Sequence, residues 1–239
     1  MESSRQSLAV VVPAAGYGVR LDSGLPKQYV PILGIPMLQH TLMALHCCPR
    51  VDAVLVVVHP EDVDYCLQQA VARRLSKVVG VTAGGETRAL SVRNGLRAVV
   101  EAGTWDLIGV HDGSRPLVTS ADIVRAVETL EANPELDGVI LATPSIDTIK
   151  LVDQEGLVLQ TLDRRTVWQA QTPQIFRAQV LLEAYSVPEE VLCAATDDSF
   201  LVERLGGRVA VVEGSRENFK VTDRVDLRHA ERILAERQE

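Results

Sequence analysis

The run LAVVVPAAGYGVRLDSGLPKQYV, residues 8–30, decides the fold class of this 239-residue chain. Its first five residues are apolar and rich in valine, which suits a strand covered on both faces. The strand leaves through Pro13 and the small residues Ala14, Ala15, Gly16 and Gly18, with Arg20 and Lys27 behind them. A tight turn alone would use the same glycines. The cations are what a turn does not explain. In an open α/β sheet, ligands bind beyond the carboxyl ends of the strands, where small side chains let backbone N–H groups approach an anion. Arginine adds a planar fork and lysine a compact point charge, a pair suited to a triphosphate.

The same pattern recurs downstream. AVLVVV (53–58), KVVGV (77–81), LIGV (107–110) and GVILA (138–142) are further short apolar runs. Amphipathic helical patterns separate them: MLQHTLMALHC, EDVDYCLQQAVARRL, TRALSVRNGLRAVVEAG and SADIVRAVETLEAN. In the third, Leu90, Val92, Leu96, Val99 and Val100 form the expected apolar stripe. This alternation predicts a doubly wound, mostly parallel sheet with helices on both faces. After Ala142 the pattern changes. TIKLVDQEGLVLQTLD (148–163) reads as a β-hairpin around DQEG, with Ile149, Leu151, Leu157, Leu159 and Leu162 as its apolar members. A lone hairpin is barely stable in water, so this arm, at about 147–165, is expected to pack on its own domain or on a second copy. A helix from Arg177, the acidic TDDSFLVERLG, a strand RVAVVEG and a helix near 223–236 follow. The chain is read as one α/β domain over 1–239 with an inserted arm.

Bulk properties narrow the function. A net charge of −8 argues against a nucleic-acid or membrane-surface binder, and 4% aromatic residues leave few stacking platforms. The four cysteines, Cys47, Cys48, Cys66 and Cys193, show no C-x-x-C spacing and no nearby histidine pair. Reduced thiols in a cytosol fit them better than zinc or disulfides. The polar start, MESSRQS, reads as neither a secretory signal nor a membrane span. A dinucleotide fingerprint needs a third glycine, where Val19, Arg20 and Leu21 stand, and an acid after the second strand, where His59 and Pro60 stand. No G-K-[ST] of a P-loop occurs, and HDGS has one carboxylate where nucleotide-sugar glycosyltransferases usually carry D-x-D.

Other anchors lie at the same edge of the predicted sheet. GGETRALSVRNG (84–95) supplies a second flexible turn, with Thr87 as a helix cap and Ser91 one helical turn on. HDGSRP (111–116) brings Asp112 and Arg115 after the fourth strand. A carboxylate among phosphate-binding cations suits Mg²⁺, directly or through water, or a substrate hydroxyl. His111, beside a buried strand, is expected to be a hydrogen-bonded structural group rather than a base. Lys220 leaves an extended segment before the last helix, and Asp147, Thr148, Arg164 and Arg165 bracket the hairpin. The paired arginines read as a solvated elbow or as a phosphate site at the base of the arm.

The pieces PAAG-x-G-x-R, PKQY, GG-x-x-R-x-x-SV, HD-x-x-RP, DT-x-K, DR, QTPQ-x-F, TDD and KVT occur here in one order. That ordered set, from about Leu8 to the final helix, resembles the family of 2-C-methyl-D-erythritol 4-phosphate cytidylyltransferases. The resemblance implies a Rossmann-like, doubly wound sheet of the nucleotidyltransferase type. It implies cytidylyl transfer from CTP to a polyol phosphate, with Mg²⁺ carried on the CTP phosphates, few or no direct protein ligands for it, and no separate metal site. By the same resemblance Arg20 and Lys27 stabilise the triphosphate, and Arg164 and Lys220 position the attacking phosphate. Pro13, Ala14, Ala15, Gly16, Gly18, Gly85, Glu86, Ser91, Asp112 and Gly113 line the nucleotide site. Asp112, Arg115, Thr148, Arg164, Thr172, Thr196 and Lys220 hold the second substrate. The resemblance also implies a cytoplasmic homodimer with crossing arms, so that Thr148 and Arg164 serve the neighbouring subunit. Two positions depart from the family pattern: Gly113 where alanine is usual, and Glu86 where aspartate is frequent. Two alternatives stand beside this reading, a D-ribitol-5-phosphate cytidylyltransferase and a non-catalytic nucleotide sensor.

Overall fold

A computed structural model describes residues 5–16 and 25–238. A seven-stranded sheet forms its centre, built from β1 (Leu8–Pro13), β4 (Ala53–Val58), β5 (Val78–Ala83), β6 (Leu107–Val110), β7 (Gly138–Pro144), β10 (Trp168–Arg177) and β11 (Val209–Glu213), in the order β11-β7-β10-β6-β1-β4-β5. β10 runs antiparallel to both β6 and β7, and the remaining pairs are parallel. Two short pairs lie outside this sheet, β2 (Pro31–Ile32) with β3 (Ile35–Pro36) and β8 (Lys150–Val152) with β9 (Val158–Thr161).

The apolar runs are explained by two cores. Leu8, Val10 and Val12 of β1 point into one hydrophobic cluster with Val54, Val56 and Val58 of β4. Ala9 and Val11 point into the other with Ala53, Leu55 and Val57. Successive side chains of a strand face opposite ways, so a strand covered on both faces must be apolar at every position. Helices α1 (Met37–Cys47), α2 (Val63–Ala72) and α4 (Ser120–Ala132) contribute to the first core, and α3 (Arg88–Ala102), α5 (Ala178–Ala184), α6 (Glu189–Ala194) and α7 (Asp198–Arg204) to the second. A third cluster joins Val30, Ile32, Leu117 and Val221 under the last helix, α8 (Arg224–Glu236).

One expectation changes in detail. The buried stripe of α3 contains Leu90, Val92, Leu96 and Val99, but Val100 lies at its outer edge and is exposed. The segment that carries QTPQ-x-F is the antiparallel strand β10, which fills the gap between β6 and β7. The four cysteines are all free thiols. Among the described residues, no helix is long and apolar enough to cross a membrane.

Candidate active site

The chain builds outward in two directions from β1. It first places β4 and β5 on one side, then returns to place β6 on the other. The loops after β1 and β6 therefore part at the carboxyl edge, which is where an open sheet forms its ligand crevice. Backbone hydrogen bonds tie the loops together there: Ala14 N to Val57 O at 2.7 Å, Gly84 N to Val58 O at 2.8 Å and Gly113 N to Pro13 O at 3.2 Å. Gly84 is required by this closeness, since a Cβ there would collide with the Cβ of Ala15.

A cavity of about 610 Å³ opens at this edge. Among the described residues, every position expected on the nucleotide side lines it: Pro13, Ala14, Ala15, Gly16, Gly85, Glu86, Ser91, Asp112 and Gly113. Lys27, from the 3-10 turn Lys27–Tyr29, and Lys220 line it as well. Gly18 and Arg20 lie outside the described residues. Ser91 is buried, and its hydroxyl accepts from Gly85 N at 3.1 Å, so α3 holds the glycine turn in place. Thr87 caps that helix by accepting from Leu90 N at 3.2 Å. Gly113 packs closely: an added Cβ would lie 2.8 Å from the Cβ of Ala14 and 3.1 Å from Leu38 Cδ1. The methyl missing at Gly113 is thus a matter of packing beneath the cavity.

A second cavity, of about 360 Å³, adjoins the first. Of the positions expected to hold a second substrate, Asp112, Arg115, Thr172, Thr196 and Lys220 line it. Thr148 and Arg164 line neither cavity. Both are exposed at the base of the hairpin, where Arg164 Nη1 donates to Ile146 O at 3.4 Å.

Asp112 stands where the cavities meet and is almost fully buried. Its Oδ1 accepts from Arg88 Nε at 3.0 Å, its Oδ2 from Lys220 Nζ at 3.0 Å, and Arg115 Nε stands 3.6 Å away. Burial alone would favour the neutral acid, but the charges of Arg88, Lys220 and Arg115 outweigh it and hold the carboxyl well below the usual carboxylate range. The Asp112 N–H donates to Thr172 Oγ1 at 3.0 Å, and the same hydroxyl pairs with His111 Nδ1 at 3.0 Å. His111 Nε2 meets Arg115 O at 3.1 Å, so both ring nitrogens are engaged in a residue with no exposed surface. Burial lowers its pKa to about 4, leaving a neutral structural ring rather than a general base.

Arg88 and Asp198 are the residues that sequence reasoning missed. Both sat inside quoted motifs, GGETR and TDD, but neither received a role. Arg88 donates to both oxygens of the fully buried Asp198, at 3.2 and 2.8 Å. Burial opposes the charge on Arg88, yet Asp198 and Asp112 more than offset it and raise its pKa.

The family model of IspD, 2-C-methyl-D-erythritol 4-phosphate cytidylyltransferase, matches residues 8–236. A protein of Rubrobacter xylanophilus with that name is 46% identical over 229 residues, covering 95% of each chain. One of Geobacter metallireducens with the same name is 41% identical over 229 residues, covering 95% of this chain and 97% of the other. A crystal structure of a 4-diphosphocytidyl-2C-methyl-D-erythritol synthase superimposes with a TM-score of 0.79 at 35% identity, over 97% of this chain and all of that one.

Proposed function

The chain belongs to the 2-C-methyl-D-erythritol 4-phosphate cytidylyltransferase family, and from that premise we propose that it transfers the cytidylyl group of CTP to 2-C-methyl-D-erythritol 4-phosphate. The products are 4-diphosphocytidyl-2-C-methyl-D-erythritol and pyrophosphate. The observation that carries this reading is Asp112, with Lys220 and Arg88 on its two oxygens, at the junction of two cavities. The larger is walled by a small-residue turn and Lys27, the smaller by Arg115 and Thr196.

The phosphomonoester of the acceptor is a competent nucleophile near neutral pH, its second pKa being about 6. One of its oxygens attacks the α-phosphorus of CTP in line. The new P–O bond forms as the bond to the β-phosphate bridging oxygen breaks, and pyrophosphate departs with the electron pair. Such transfers need positioning and charge neutralisation more than a base, in keeping with the neutral, buried His111. Lys27, with Arg20 behind the same turn, is assigned to the triphosphate. Lys220 and Arg115 are assigned to the acceptor phosphate, where Lys220 has 41% of its side-chain surface open.

Among the described residues no three His, Cys, Asp or Glu side chains cluster as a metal site. Asp112, already facing three cations, is the cleft's lone aspartate shared by both cavities. This donor set fits Mg²⁺ that enters on the triphosphate, with Asp112 as the carboxylate between the two cavities. Bound there, the ion would neutralise phosphate charge.

The hairpin β8–β9 supports a homodimer. Leu151, Leu157 and Leu159 are 50%, 63% and 63% exposed on the arm, a cluster of large apolar side chains left open to solvent. Crossing of two such arms would cover these side chains and carry Thr148 and Arg164 to the neighbouring second cavity. The rest of the chain, on this reading, is one nucleotidyltransferase domain.

The test is pyrophosphate release by purified protein with CTP and Mg²⁺. Release should depend on the acceptor and should prefer 2-C-methyl-D-erythritol 4-phosphate to D-ribitol 5-phosphate. Preference for the ribitol ester would move the acceptor assignment. CTP binding with no release from either would overturn the enzymatic reading.

A further inference from the structure

Along the cleft runs a line of paired groups, Tyr185, Asp198, Arg88 and Asp112, the last two of which also line both cavities. Tyr185, which closes α5, donates its hydroxyl to Asp198 Oδ1. Asp198, the first residue of α7, is fully buried and accepts Arg88 Nη1 and Nη2. Arg88, the first residue of α3, places its remaining nitrogen, Nε, on Asp112 Oδ1 at 3.0 Å. All three guanidinium nitrogens are therefore committed to two carboxylates in a fixed plane. An arginine so bound is oriented by the protein, and its fork is not offered to a phosphate.

The far end of the line reaches the cations of the second cavity. Asp112 Oδ2 accepts Lys220 Nζ at 3.0 Å and faces Arg115 Nε at 3.6 Å. With Arg88 holding Oδ1, Asp112 presents one oxygen to Lys220 in one direction. Freed of that hold, the carboxylate would rotate and pair more fully with Lys220, drawing the ammonium away from an incoming phosphate. Lys27 enters separately, from the 3-10 turn before β2.

We infer that Arg88 and Asp198, backed by Tyr185, are positioning residues that fix the Asp112 carboxylate and, through it, the Lys220 ammonium for the acceptor phosphate. This rests on the reading of the cleft as a cytidylyltransferase site. The clamp acts on the acceptor side, so its loss should separate the two substrates kinetically.

Steady-state kinetics on the full chain test this, with CTP and acceptor varied in turn and a thermal melt of each variant. Wild-type turnover checks the premise by itself; its absence would defeat the cytidylyltransferase reading before any variant is compared. Asp198→Asn keeps the shape of the side chain and removes the charge that orients Arg88. It should raise the acceptor KM by about tenfold or more, lower kcat, and leave the CTP KM within about twofold. Tyr185→Phe keeps the ring packed and should shift the acceptor KM the same way by about threefold. The variant Arg88→Gln/Asp198→Asn removes both buried charges together. A role limited to charge balance predicts that this pair recovers the acceptor KM, whereas a positioning role predicts that it stays raised. Recovery in the double variant, or equal weakening of both substrates in the single ones, would overturn the inference. So would an unchanged acceptor KM in Tyr185→Phe.

Discussion

The cleft floor and the hairpin base carry the same residue types and use them in opposite ways. At the floor, Arg88, Asp112 and Thr172 come from three distant parts of the chain, and Asp112 is 7% exposed. At the arm, Asp163 and Arg165 are two residues apart and pair on an open surface, with Asp163 also accepting the Arg165 N–H at 3.1 Å. The first arrangement is buried, where Coulomb attraction is strong and a missing partner would cost about 3–5 kcal/mol. The second caps a 3-10 turn and is screened by water. What distinguishes the two is the number of elements that converge on each pair. Asp112 is fixed by residues of α3, β10 and the segments after β6 and before α8, whereas Asp163 and Arg165 pair within one turn.

The greatest loss is expected at the cation of the larger cavity. Lys27→Ala should lower kcat by about 10²–10³-fold, the scale for losing one transition-state charge partner, while the thermal melt stays close to wild type. A kcat near the wild-type value would remove Lys27 from the chemistry. Arg164→Ala should also be inactive, although Arg164 lines no cavity of its own chain.

Mixing those two inactive variants tests which chain each arm serves. If arms cross, random reassortment makes half of the dimers mixed, and each mixed dimer contains one site with both residues intact. About a quarter of wild-type activity should then return. If each arm serves its own chain, every site keeps one lesion and the mixture stays silent.

The smallest effect concerns pH. His111 is buried with a pKa of about 4, below the roughly 6.5 of an unfolded histidine. Between those values the unfolded chain binds the extra proton, so stability should fall as pH drops from about 6.5 toward 4, by up to about 1.4 kcal/mol per unit from this group. His40, also lowered mainly by burial, acts in the same direction. Urea titrations at pH 7 and pH 5 should show the loss, and His111→Gln should flatten it. An unaltered slope in that variant would shift the effect to other groups.

The sequence made most of the architecture legible. Short apolar runs separated by helical stripes specify strands covered on both faces, and the structure puts β1, β4 and β6 where those runs stand. The helix MLQHTLMALHC matches α1 residue for residue. β10 was harder to read because QAQTPQ is polar. Those side chains serve the cleft and its supports: Gln171 donates to Ser215 O, Gln174 to Asp197, and Thr172 receives Asp112 N. A strand whose side chains make specific hydrogen bonds loses the apolar periodicity by which strands are read.

The loop chemistry was equally local. Small residues at 13–16, the glycines at 84–85 and Asp112 at a strand end each declare themselves within a few positions. By itself, then, the sequence determined the layers of the sheet and the edge at which its small-residue turns and cations gather. Those follow from periodicity, turn composition and charge, which neighbouring residues settle among themselves. Only the tertiary structure decided that Arg88 and Asp198, 110 positions apart, form an ion pair beside Asp112, and that Thr148 and Arg164 line neither cavity. Contacts of that kind depend on which elements the sheet order brings together, and no local pattern in the chain encodes that distance.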